Sequence, residues 1–147
     1  MTLHDEMVHR FLDGCAKASI RNPVQFLIAK MPQVYSWLKG CFPRGILPTD
    51  IDGEVEINGH FLRLEFKHAD LLRDGAIPKG QLSAFEALLK LRHFTIFLIG
   101  QNDGGEPVCM HIWHHDGTRK EKDPCDRTYV QERCRSWAEW AEKQPRS

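Results

Sequence analysis

The chain has no apolar run long enough to cross a bilayer or to form the hydrophobic region of a secretory leader, so neither a membrane span nor export is expected. It also has no Cys-x-x-Cys pair. Its five cysteines, Cys15, Cys41, Cys109, Cys125 and Cys134, are odd in number and irregular in spacing. That pattern argues against a disulfide framework and for reduced thiols in a cytoplasmic setting. Net charge is absent too, because 20 Lys and Arg balance 20 Asp and Glu, and no overall basic field announces a nucleic-acid partner. No repeat, low-complexity tract or domain linker interrupts the 147 residues, of which 41% are hydrophobic. One domain with a substantial core is the expectation.

The distribution of charge is less neutral than its sum. From Gly14 to Thr49 the chain carries Lys17, Arg21, Lys30, Lys39 and Arg44 and no acidic residue, with Tyr35, Trp37 and Phe42 interleaved. Such a segment suits a phosphate backbone, its rings offering stacking surfaces. The same residues also suit helix surfaces laid over an aromatic core. This part, about residues 1–45, reads as helical: Leu3, Met7, Phe11 and Cys15 recur at helical spacing, Asn22-Pro23 reads as a cap and first position, and Pro32 and Gly40 bracket a third, short helix.

The most informative stretch is Pro48-Thr49-Asp50-Ile51-Asp52-Gly53-Glu54-Val55-Glu56-Ile57, then Asn58-Gly59, then His60-Phe61-Leu62-Arg63-Leu64-Glu65-Phe66-Lys67. Asn-Gly between alternating runs predicts a two-residue type I′ hairpin. Counting back from that turn sets Ile57 against His60, Val55 against Leu62, Gly53 against Leu64 and Ile51 against Phe66, an apolar face expected to be buried. The other face sets Glu56 against Phe61, Glu54 against Arg63, Asp52 against Glu65 and Asp50 against Lys67. Two carboxylates thus oppose each other, which is destabilising unless something offsets the repulsion. A divalent cation does so, since Mg²⁺ takes one or two carboxylates and leaves positions for water and phosphate. Lys67 beside such an ion suits holding an attacking water or stabilising charge on a phosphate oxygen. A solvated, ion-paired face is the plainer alternative.

Asp52 followed by Glu65-Phe66-Lys67 resembles the signature of the PD-(D/E)XK nuclease superfamily, an acidic residue, a gap, then Glu or Asp, any residue, and Lys. The chain has no other Asp/Glu-x-Lys triplet. The likeness extends over about residues 48–100, because Gln81 in Lys79-Gly80-Gln81-Leu82-Ser83-Ala84-Phe85 opens a helix leading into the apolar strand Phe94–Gly100. That order is similar to virus-type replication-repair nucleases and archaeal-type Holliday-junction resolvases. The resemblance implies an α/β fold with a restriction-endonuclease-like core: a central mixed sheet with an antiparallel meander of three strands, a crossover helix and helices on both faces. It further implies Mg²⁺ or Mn²⁺ held by Asp52, Glu65 and the backbone carbonyl of Phe66, with Lys67 and Gln81 assisting catalysis. The proline of the family name precedes Asp50 here, so Asp50 or Asp52 is the ligand, and the other a supporting group. Glu6 on the first helix is a further supporting candidate, with an exposed first-turn acid favoured by the helix dipole as the plainer reading.

The remainder carries less chemistry. Residues 101–107 read as a loop, Val108–Trp113 as an added strand, Arg119-Lys120-Glu121-Lys122 as a basic loop, and about 127–143 as a final helix. On that helix Val130, Cys134, Trp137, Ala138 and Ala141 form one stripe, with Trp140 next to it. Cys109, His111, His114, His115 and Cys125 offer ligands suited to zinc, but without a zinc-site spacing. His68 ends the strand after Lys67. The function expected is Mg-dependent DNA phosphodiester hydrolysis, a structure-selective or repair and recombination endonuclease whose DNA contacts are Lys17, Arg21, Lys30, Lys39, Arg44 and Lys79. RNA stays open, and a homodimer is one arrangement because small members of the superfamily often pair. A non-cleaving nucleic-acid-binding module and a protein-interaction domain with an acidic docking face are the competing classes.

Overall fold

The structure is a computed structural model that describes residues 2–23, 40–45 and 51–146. It comprises two units, Met1–Asp50 and Ile51–Ser147. In the first, helix α1 (Leu3–Lys17) forms over the expected apolar spacing. Thr2 caps it: the Asp5 N–H donates to the Thr2 hydroxyl, and the Asp5 carboxylate accepts the Thr2 N–H at 2.8 Å, a reciprocal capping box. Cys15 is buried, whereas Leu3 and Met7 are exposed. The helices expected from Asn22-Pro23 and between Pro32 and Gly40 lie largely outside the described residues, as do Lys30, Tyr35, Trp37, Lys39, Pro48 and Asp50.

In the second unit Asn58 and Gly59 adopt φ of 54° and 80°, the two left-handed residues that a type I′ turn requires. The turn joins β1 (Gly53–Ile57) to β2 (His60–His68) in the counted register, from Ile57 opposite His60 to Gly53 opposite Leu64. After β2 come α2 (Ala69–Arg73) and α3 (Lys79–Lys90), which carry the chain over to β3 (Phe94–Gln101). β3 lies parallel to β2, with Leu98 beside Glu65 and Gly100 beside Lys67. β4 (Pro107–Trp113), β5 (Arg119–Lys122) and α4 (Arg127–Lys143) complete the unit. The sheet runs β1-β2-β3-β4-β5, and only β2 and β3 are parallel.

Helices cover both faces. On one, Ala69 and Leu72 of α2 and Phe85 and Leu89 of α3 pack with Ile96, Leu98 and Trp113. On the other, Trp137 and Ala141 of α4 pack with Leu62, Phe97, Ile99, Met110 and Ile112. The fold is therefore α/β with a mixed sheet, an antiparallel hairpin and a crossover helix, consistent with a restriction-endonuclease-like core. Among the described residues the hairpin precedes the crossover as two strands, rather than a three-stranded meander.

Two local expectations change. Residues 119–122 form an edge strand on β4 instead of a loop; all four are exposed, and charged residues are what an edge strand tolerates. The apolar hairpin face is only partly covered. Leu62 is buried and Ile57 and Leu64 pack against the α4 cluster, while Ile51, Val55 and Phe66 are 51%, 42% and 39% exposed. The coverage follows from where α4 reaches: the Asn58 side-chain amide donates to the carbonyls of Ala141 and Glu142 at 3.2 and 3.1 Å, fastening the turn to that end of the helix. All five cysteines are free thiols. No helix among the described residues is long and apolar enough to cross a membrane.

Candidate metal and catalytic site

β2 places Phe61, Arg63, Glu65 and Lys67 on one face by the strand period of two. This is the face covered by α2 and α3, since Glu65 neighbours Leu98 in the parallel register and Leu98 belongs to their core. Glu65 is accordingly only 3% exposed, an unusual position for a carboxylic acid. Its neighbour Arg63 is taken: Nε and Nη2 donate to Glu54 Oε2 at 3.1 and 2.7 Å, the cross-strand pair that the register anticipates.

Asp52 sits one residue before β1, where the ladder stops. Its Oδ2 accepts the Phe66 N–H at 2.8 Å. In a strand the N–H and C=O of one residue point to the same side, so the Phe66 carbonyl also faces the edge where Asp52 lies. Burial pushes the Glu65 carboxyl above the ordinary carboxylate range, and the Asp52 charge beside it pushes the same way. The Lys67 and Arg63 charges oppose this, and a hydrogen bond to Asp52 adds to the protonated form. A buried carboxyl group that resists ionising beside a carboxylate is an arrangement that a cation relieves.

Gln81 occupies the third position of α3, one turn before Phe85, on the side that packs on the sheet. Its Oε1 is buried and has no hydrogen-bond partner. A buried acceptor without a donor is costly, and here it lies over the same sheet face as Glu65. Gly100, beside Lys67, faces α2: a Cβ there would collide with Cys109 Sγ and lie 3.1 Å from the Ala69 Cα. The missing side chain lets α2 close on the strand next to Lys67, which is half-buried. His68 projects to the other side, its Nε2 2.8 Å from Asp103 Oδ1, and its ring accepts the Asp70 N–H at the start of α2.

Asp52, Glu65, Lys67 and the Phe66 backbone are thus brought together, and α3 sets Gln81 over their face. This donor set fits a hard divalent cation: two carboxylates and a backbone carbonyl, with octahedral positions left for water and phosphate. Asp50 lies outside the described residues. Glu6, Lys17, Arg21 and Arg44 belong to the first unit and are exposed, with Lys17 paired to Asp13 at 2.7 Å. Lys79 is exposed at the first position of α3. The zinc candidates are divided: Cys109 is in the α2/α3 core and Cys125 packs against the α4 core. Among the described residues no group of three or more His, Cys, Asp or Glu side chains is placed to hold a metal, so any ion on Asp52 and Glu65 relies on backbone and water oxygens as well.

Sequence reasoning did not anticipate the burial of Glu65 or the space left at Gly100, because both are set by how closely α2 and α3 approach the sheet. Compared with family models, curated proteins and solved structures, the chain finds no match.

Proposed function

We propose that this protein is a metal-dependent nuclease that hydrolyses DNA phosphodiester bonds, an endonuclease of the structure-selective or repair and recombination kind acting in the cytoplasm. The observation that carries this reading is the meeting of Asp52 with the buried Glu65 carboxyl beside Lys67. Asp52, Glu65 and the Phe66 carbonyl hold Mg²⁺ or Mn²⁺. An ion so held supplies Lewis acidity at the phosphate and lowers the pKa of water.

The chain's own groups do the rest. The hydrogen bond from Phe66 fixes the Asp52 carboxylate, and burial fixes Glu65, so neither reorganises during the reaction. The Lys67 ammonium holds the attacking water and offsets charge growing on a phosphate oxygen. The unused Gln81 carbonyl oxygen accepts a hydrogen bond from that water, orienting a lone pair toward phosphorus. Lys79 offers a cation to the substrate backbone at the start of α3. Neutral total charge is compatible with this, because an acidic centre is balanced by basic residues elsewhere. A carboxyl group as buried as Glu65 has little to present to a docking protein, which favours the catalytic reading over an acidic interaction face.

The experiment is cleavage of labelled junction, flap, duplex and single-stranded DNA in Mg²⁺, Mn²⁺ or EDTA, with Lys67→Ala alongside. Metal-dependent cutting that Lys67→Ala slows by about 10² to 10³ is the expected result. Binding of DNA in EDTA without cutting of any substrate would replace the nuclease with a binding module.

A further inference from the structure

The sheet face opposite Glu65 carries a concavity. Between α4 and the strands lies a cavity of about 310 Å³, floored by Phe97 and walled by Tyr129, Arg133, Trp137 and Trp140 of α4, with Lys120 of β5 at its side. That volume is within the range of small-ligand sites. Two polar atoms of these walls are buried without a partner: Nε1 of Trp137, a residue only 7% exposed, and Nε of Arg133. Both groups are donors with no acceptor capacity, and no acceptor of the described residues meets either. Buried donors left unpaired are costly and ask for an explanation.

The lining has a consistent chemistry. It contains two permanent cations, Arg133 and Lys120, and no Asp or Glu. A guanidinium with an unused N–H matches a phosphate or carboxylate oxygen. The rest is largely aromatic. The Arg133 guanidinium lies 5.5 Å from the Tyr129 ring centre, and Trp140 is held in place by His115 stacked at 4.6 Å and His60 edge-on at 4.9 Å. Aromatic rings in a cavity wall are the kind of surface a planar base packs against. A ligand that answers both the rings and the donors is an aromatic ring system bearing an anion.

We propose that this cavity binds a nucleoside phosphate, its base against the α4 rings and its phosphate on Arg133 and Lys120, with the Trp137 N–H donating to an oxygen of the ligand. The nucleotide is either free or an unpaired unit of a strand, and the recognition chemistry is the same.

Calorimetric titration of the full chain in EDTA with the deoxynucleoside monophosphates, the corresponding nucleosides and inorganic phosphate tests this. Saturable binding of at least one monophosphate is expected, with its nucleoside and inorganic phosphate each weaker by about tenfold or more. Arg133→Gln and Trp137→Phe should each weaken binding by about tenfold while leaving the melting transition in place. Trp137→Phe keeps an aromatic ring in the core and removes the N–H together with part of the indole, so its melting transition is read beside its binding. An oligonucleotide with an unpaired terminal nucleotide that competes identifies a strand as the source; a monophosphate that binds without such competition identifies the free nucleotide. No saturable binding of any monophosphate, binding that inorganic phosphate alone reproduces, or binding that both variants retain overturns the proposal. EDTA keeps the carboxylate pair out of the measurement, so failure here leaves the nuclease reading standing.

Discussion

The Asp52 carboxylate accepts the Phe66 N–H at 2.8 Å where the β1–β2 ladder would otherwise place its next rung. A continued ladder would give that N–H to the carbonyl of Ile51, which instead leaves the sheet with its side chain half exposed. Ending β1 at Gly53 thus frees one donor, and the first acid upstream takes it. The same bond pins a carboxylate beside Glu65, so strand termination and site assembly are one event.

The hairpin that sets this geometry is fastened at its other end by Asn58. Asn58→Gly keeps the left-handed backbone and loses two amide hydrogen bonds to α4, at a cost of about 1 kcal/mol. Asn58→Ala loses the bonds and also strains the turn, for a further cost of about 1 kcal/mol. Urea unfolding of the two variants and wild type measures the difference, and the order wild type, Gly, Ala in falling stability is expected.

Glu65 makes stability depend on pH. Its carboxyl titrates above the ordinary range because burial, then the Asp52 charge, disfavour the ionised form. Its contribution to stability is therefore fully present below the unfolded-state value, about 4.3, and is lost as pH rises through the higher folded value. Glu65→Gln removes this dependence. Metal-free wild type should lose stability relative to Glu65→Gln as pH climbs from 4 to 8, in paired thermal melts. Parallel curves for the two proteins would mean that Glu65 ionises freely in the fold.

Lys67 and Gln81 separate activity from folding. Lys67→Ala should lower kcat by about 10² to 10³ with metal affinity retained, the loss typical of one electrostatic donor. Gln81→Leu removes a buried acceptor that has no partner, so it should stabilise the protein by about 1 kcal/mol while slowing cleavage. A Gln81→Leu protein that is both less stable and fully active would show that the amide serves packing alone.

Much of this arrangement is legible in the chain because its signals are local. Asn58-Gly59 fixes a turn, the turn fixes a register, and period-two alternation then assigns Glu54 to Arg63 without reference to anything distant. The bounds of α4 are equally local, set by Asp126, whose side chain accepts the Tyr129 N–H, and by the apolar stripe that follows. What depends on packing is not legible. Arg119–Lys122 has no apolar residue to mark it as a strand and becomes one because β4 offers an open edge. Glu65 looks like an exposed acid until α2 and α3 close over its face. Arg133, Trp137 and Lys120 share a cavity only because α4 lies across the sheet, and no spacing in the sequence records that.

The most direct test of the central claim, that the hairpin brings Asp52 and Glu65 together to hold a divalent cation, is calorimetric titration of Mn²⁺ into the EDTA-stripped protein and its Asp52→Asn and Glu65→Gln variants. Wild type should bind saturably, with a loss of affinity of about 10-fold or more in each variant. Binding that survives both substitutions, or no binding by wild type, would contradict it.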